Sequence, residues 1–227
     1  LSNRPAAIVT FLSGMCPQRI QPFHCGELGR ALARMHLAGD DFVLRRPNDL
    51  SVESWRPLLC QSTDRANEVK KGLAKDLETE LDYLESNWPD TLPSGIIHAD
   101  LFPDNVFFHG YELTGLIDFY FACMDMFAYD IAICMNAWCF EGDGSFNVTK
   151  AKHLLTAYRE VRDFSDDELD ALTVLARGAA MRFLLTRLYD WLYTSADALV
   201  TKKDPLEYWE KLRFHQQVTG AQDYGLA

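Results

Sequence analysis

No stretch of the chain approaches the roughly 18 uninterrupted apolar residues of a membrane span, so a transmembrane segment is not expected. Basic residues are scarce. The 22 Lys and Arg stand against 33 Asp and Glu, a formal net charge of −11, which argues against a nucleic-acid-binding surface. Six cysteines are present (Cys16, Cys25, Cys60, Cys123, Cys134, Cys139), yet none forms a C-x-x-C pair or has zinc-finger spacing. Read without a secretory signal in a chain of 227 residues, they are expected to be reduced thiols of a cytoplasmic protein. Asn147-Val148-Thr149 fits the N-glycosylation pattern, which has no consequence inside the cell. Repeats, low-complexity tracts and a clear internal linker are also lacking. What remains is an ordinary globular composition, 48% hydrophobic and 24% charged, long enough for one large domain or two small ones.

The strongest signal is His98-Ala99-Asp100-Leu101-Phe102-Pro103-Asp104-Asn105, followed by Leu116-Ile117-Asp118-Phe119. Ile96-Ile97 reads as a short strand that delivers the first segment. Val106-Phe107-Phe108, a turn at His109-Gly110, and Leu113 to Ile117 read as a hairpin that delivers Asp118. The pattern H-x-D-x-x-x-x-N, with I-D-F after a hairpin, matches the catalytic half of a kinase signature. There the first Asp accepts the proton of the attacking hydroxyl, and the Asn and second Asp hold metal. Turn capping alone explains many Asp and Asn residues in loops, and for Asp104, beside Pro103, the two readings stand level. Capping does not require the spacing and hairpin that join Asp100, Asn105 and Asp118.

In chain order, Ala6 to Phe11 reads as a strand entering a loop at Ser13-Gly14. Because an intact domain rarely begins inside a strand, the chain is expected to lack an N-terminal portion. Leu28, Ala31, Leu32 and Met35 follow the helical period, with His36 at the helix end. Residues 39–62 read as a long loop with short helical turns, of the kind that is usually functional. Residues 66–86 carry Leu73, Leu77, Leu81 and Leu84 on one helical face, ended by Trp88-Pro89. Ile131 to Trp138 is apolar nearly all round, as in a buried helix. Gly142-Asp143-Gly144 is a turn, since no strand feeds it and no Lys follows. Thr149 to Arg159 forms a helix, and Ser165 with Glu168 forms a capping box that opens a long one. Asp204-Pro205 starts a last helix through Trp209 and Leu212, and the tail after Thr219 reads as frayed. At least six helices, one lone strand and one hairpin make an α+β chain, a helical lobe with a small sheet carrying the site, rather than an alternating βαβ domain.

With those residues in hand, the chain resembles the choline-kinase and aminoglycoside-phosphotransferase branch of the protein-kinase-like fold. That branch writes its catalytic loop and following I-D-F or I-D-W as His98 to Asn105 and Ile117-Asp118-Phe119 are written here. A narrower resemblance is to the kinase-like homoserine kinases of bacterial threonine biosynthesis. It is carried by Ala33 to Gly39, Asn136 to Glu141 and Ala179 to Trp191, and spans nearly the whole chain. It implies that residues 1–14 are the last strand and hinge of the N-terminal lobe, and that 15–227 are the helical C-terminal lobe with its catalytic hairpin. The glycine-rich loop and the strand Lys that pairs the nucleotide phosphates would then lie before Leu1, because no G-x-G-x-x-G occurs in these residues.

The resemblance also implies roles: Asp100 as base, Asn105 and Asp118 on Mg²⁺, and the backbone around Phe11, Leu12 and Ser13 receiving the adenine of ATP. Asp130 would brace the catalytic loop from below, a plain helix N-cap being the level alternative, and His98 would support the same loop. The acceptor would be an amino acid, whose carboxylate suits an Arg fork, so Arg182, Arg187 and Arg46 are candidates. Asn136 and Glu141 could face its ammonium group, and Asn48 is a further possibility, although each of these fits a structural pair as well. Trp138 and Trp191 read as core. Three other readings stay open: another small-alcohol kinase acting on choline, methylthioribose or an aminoglycoside; a non-catalytic kinase-like binding module; and a metallohydrolase using Asp100, Asp118 and His98.

Overall fold

Helix α5 (Phe127–Trp138) is the centre of the molecule, since every residue in it but Ala137 is buried. Nearly unbroken apolar sequence allows this, because a helix with no polar face can be covered on all sides. The computed structural model describes residues 9–195 and 201–226. Around α5 lie α1 (Pro22–Ala38), α2 (Val52–Cys60), α3 (Thr63–Val69), α4 (Leu73–Asn87), α6 (Val148–Arg159), α7 (Asp166–Tyr193) and α8 (Pro205–His215). Two small antiparallel sheets complete the fold. Strand β1 (Ser94–Ile97) pairs with β4 (Cys123–Met126) in the register Ile97 to Cys123. Strand β2 (Val106–His109) pairs with β3 (Glu112–Leu116) in the register Val106 to Leu116.

Local signals account for several boundaries. The Ser165 hydroxyl accepts from the backbone N–H of Glu168, and the Glu168 carboxylate accepts from that of Ser165, closing the expected capping box of α7. Asp204 caps α8 through the backbone N–H of Leu206, with Pro205 at the first helical position. In the β2–β3 turn, Gly110 has φ +62°, a conformation that a side chain disfavours and glycine does not.

Five expectations need correction. The expected lone strand, β1, is paired with β4. Residues 9–12 form no strand; Val9 and Phe11 are exposed, and the chain joins a sheet only at the Met15–Phe108 bridge. Residues 6–8 of that run lie outside the described residues. The long loop contains helix α2 despite Pro57, because Trp55 and Leu59 are buried and Trp55 meets Trp88 edge-on at 5.0 Å. Residues 66–86 form two helices, broken at Gly72 with φ +83°. The tail does not fray: Tyr224 is fully buried and its hydroxyl lies 2.8 Å from His215 Nδ1.

Close packing between α1 and α6 depends on Gly29. A Cβ there would lie 2.3 Å from the Leu154 carbonyl oxygen and 3.0 Å from the Tyr158 nitrogen. Gly29→Ala should therefore cost about 1–3 kcal/mol by overpacking. Urea denaturation measures this, and unchanged stability would contradict the packing described.

Candidate functional site

Strand β1 ends at Ile97, and the next backbone groups are held from below by buried charge. Asp130 in the first turn of α5 is fully buried. Its carboxylate accepts the backbone N–H groups of His98 at 2.8 Å and Ala99 at 2.9 Å, and also pairs with His36 Nε2 at 3.1 Å. Burial alone would raise this carboxyl. The hydrogen bond and charge of His36, with the charge and backbone N–H of His98, outweigh it and hold the group below its ordinary range. Ala99 sits at φ +61°, a left-handed conformation that costs a non-glycine residue on the order of 1–3 kcal/mol. Its carbonyl oxygen accepts from Arg182 Nη1. Both backbone polar groups of the strained residue are thus fixed by charged side chains.

The second loop is tied to the first. His98 Nε2 lies 2.9 Å from the Ile117 carbonyl, and His98 Nδ1 is 3.3 Å from the Asp100 backbone nitrogen. Both ring nitrogens of His98 are thereby engaged, one by each loop. The Ile117 backbone N–H donates to the Asn105 carbonyl at 3.0 Å. The Asn105 Nδ2 donates to the Asp100 carbonyl at 2.9 Å. Asp118 follows at φ +63°, the second of the two non-glycine residues with positive φ among the described residues. Asp100, Asn105 and Asp118 consequently line one cavity of about 200 Å³, whose lining is completed by Phe102, Asp104, Lys203 and, from α7, Phe183 and Arg187.

Electrostatics inside the cavity are uneven. Burial pushes the Asp100 carboxyl up from 3.8 to about 6, and Asp118 adds to the shift, while Arg182, His98 and Lys203 oppose it. A carboxylate destabilised in this way is a stronger proton acceptor than a solvated one. Asn105 and Asp118 offer hard oxygen donors, with the Asn105 amide nitrogen already committed to the Asp100 carbonyl. That donor set suits a hard cation such as Mg²⁺, which commonly takes one or two protein ligands and completes its shell elsewhere.

Other sequence-selected residues are placed differently. Arg182 is 2% exposed and serves the Ala99 carbonyl, so it is not a free carboxylate fork. Asn136 is fully buried, with Nδ2 on the Ala132 and Ala176 carbonyls, and does not reach the cavity. Glu141 pairs with Lys150 at 2.6 Å and lines a separate pocket. Arg46 contacts the Tyr120 carbonyl and Asp49, and Asn48 donates to Asp125 at 2.7 Å. Of the acceptor candidates only Arg187 lines the cavity. Phe11 is exposed, Leu12 packs directly over Gly115, and the Ser13 carbonyl accepts from Thr114 Oγ1. Trp138 is core, its indole donating to the Leu101 carbonyl at 2.8 Å, whereas Trp191 is 41% exposed. A larger groove of about 880 Å³, lined in part by Asn48, Trp88 and Asp125, shares no residue with the cavity. Sequence reasoning did not select Phe102, Phe183 or Lys203 as site residues: the first two lie inside quoted motifs but carry no polar chemistry, and Lys203 lies in no motif.

A helical lobe that carries this loop pair around one cavity has the protein-kinase-like phosphotransferase fold. In agreement, an aminoglycoside phosphotransferase from Alicyclobacillus acidocaldarius superposes with a TM-score of 0.65 at 16% identity, over 91% of this chain and 66% of that one. The phosphotransferase enzyme family matches residues 1–164, and the chain belongs to it. It is 63% identical to the homoserine kinase of Rhodospirillum rubrum over 227 residues, covering all of this chain and 71% of that protein. The homoserine kinase of Paramagnetospirillum magneticum is 62% identical over 232 residues, with the same coverage.

The raised Asp100 carboxyl makes the cavity testable without turnover. In the nucleotide-free protein it should titrate near pH 6. Mg²⁺ bound beside it favours the ionised form, so added Mg²⁺ should move the midpoint to lower pH. Carboxyl ¹³C chemical shifts report both. An ordinary midpoint without metal, or one that Mg²⁺ leaves unmoved, would contradict the site described.

Proposed function

We propose that the chain catalyses transfer of the γ-phosphoryl group of ATP to the side-chain hydroxyl of L-homoserine, giving O-phosphohomoserine. The observation that carries phosphotransfer is the convergence of Asp100, Asn105 and Asp118 on one cavity, with Asp100 the carboxyl that burial raises. The choice of acceptor is supported by the high identity to homoserine kinases over the whole chain.

In this reading Asp100 accepts a hydrogen bond from the acceptor hydroxyl, aims its oxygen at the γ-phosphorus and takes the proton as the new oxygen–phosphorus bond forms and the bond from the γ-phosphorus to the bridging oxygen breaks, releasing ADP. Asn105 and Asp118 would hold Mg²⁺, which would supply charge neutralisation for the phosphate oxygens. His98 and Asp130 act on the chemistry indirectly, by fixing the backbone that carries Asp100. The segment Phe11-Leu12-Ser13, with Leu12 packed over β3, is the proposed adenine edge. The cavity suits a small acceptor, since about 200 Å³ falls short of the roughly 300–1,000 Å³ of sites for drug-sized ligands. Among the described residues no helix is long and apolar enough to cross a membrane. A cytoplasmic setting goes with an ATP-dependent reaction on a free amino acid.

A coupled ADP-release assay on the full-length protein, with L-homoserine, L-serine, choline, methylthioribose and kanamycin as acceptors, tests the proposal. Homoserine-dependent release that falls by about 10²–10⁴ in Asp100→Asn is the expected result. Turnover with a different acceptor would replace the substrate and leave the mechanism. Absence of turnover and of nucleotide binding would favour a binding module.

A further inference from the structure

The cavity holds two cationic side chains, and their commitments differ. Arg187 Nη1 is bonded to Glu207 at 2.6 Å and to the Asp204 carbonyl at 3.3 Å, and its guanidinium lies over the Tyr208 ring at 4.4 Å. Glu207 is shared with Lys211 at 2.6 Å. Arg187 is therefore engaged in fixing the start of α8 to α7. Lys203 immediately precedes Asp204, so the same bonds hold the backbone on which it stands. Its ammonium group makes no hydrogen bond or ion pair among the described residues, and lies 5.4 Å from the centre of the Phe102 ring. Phe102 in turn meets Phe183 edge-on at 5.0 Å. An uncommitted cation over an apolar wall, beside the carboxylate that receives the hydroxyl, matches the two ends of a short amino acid: a carboxylate for the cation and methylene groups for the rings.

We propose that Lys203 is a specificity-determining residue that binds the α-carboxylate of the acceptor, with Phe102 and Phe183 against its methylene chain and Arg187 positioning the segment that carries Lys203. The inference rests on the amino-acid acceptor reading above. Phosphate oxygens are the competing anion. In that reading they gather with the metal at Asn105 and Asp118, on the loops that flank the β2–β3 hairpin, whereas Lys203 belongs with Phe183 and Arg187 to the helical wall.

The test compares wild-type protein, Lys203→Met and Lys203→Arg in full-length chains with Mg-ATP. L-Homoserine is the substrate, and 3-amino-1-propanol, which lacks only the carboxylate, is the competing ligand. Loss of one charge-assisted hydrogen bond should raise the homoserine KM about ten- to a hundredfold in Lys203→Met. The KM for ATP and the inhibition constant of 3-amino-1-propanol should stay unchanged, and Lys203→Arg should recover part of the loss. An unchanged homoserine KM would overturn the inference, as would equal weakening of both ligands. So would a raised KM for ATP, which would assign Lys203 to the phosphates. Failure of the wild-type protein to phosphorylate homoserine would overturn the acceptor reading itself, and is seen before any variant is made.

Discussion

One buried carboxylate sets the geometry on which everything else depends. A carboxylate removed from water costs several kcal/mol unless its oxygens are satisfied, and Asp130 satisfies its own with the His98 and Ala99 backbone N–H groups and with His36. His36 Nδ1 reaches the Tyr158 hydroxyl at 2.8 Å, so the network runs from α5 through α1 to α6. The loop that presents Asp100 is therefore referred to the helical core and not to its own short strand. Left-handed backbone at Ala99 persists because the surroundings over-determine it. Asp130 holds the N–H, and Arg182 holds the carbonyl.

The cationic residues divide their labour accordingly. Arg182 lies beneath the loop over the Phe183 ring at 4.4 Å, where its charge opposes the upward shift of Asp100 without cancelling it. Arg187 joins α7 to the segment before α8. Of the two cations that line the cavity among the described residues, Lys203 is the one that keeps its charge for it. The outcome is a carboxyl that burial destabilises, one oxygen donor from each of the two loops, and a cation on the segment before α8.

Much of this was legible in the sequence, for identifiable reasons. The loop motif and I-D-F are local patterns with fixed spacing, so Asp100, Asn105 and Asp118 could be placed together before any fold was known. Capping at Ser165 and Asp204 is likewise local, and the apolar run of α5 announces its burial. Contacts distant in sequence were not legible. Strand β4 has the unremarkable composition Cys-Met-Asp-Met and exists because β1 pairs with it. Helix α2 tolerates Pro57 because Trp55 is buried. Arg182 and Asn136 look like site residues in one dimension, yet the helices that carry them turn both into the core. Lys203 lies in a connection with no period at all, and only the packing of α8 on α7 brings it to the cavity.

Amide hydrogen exchange at His98 and Ala99, compared between wild-type protein and Asp130→Asn, tests the central claim most directly. A neutral amide can accept through only one oxygen and loses the charge that strengthens each bond. If Asp130 holds the loop, both amides should be protected in the wild-type protein and exchange about ten- to a hundredfold faster in the variant, with the amides of α7 unaffected. Equal protection of His98 and Ala99 in the two proteins would show that the loop keeps its shape without Asp130, and would contradict the account.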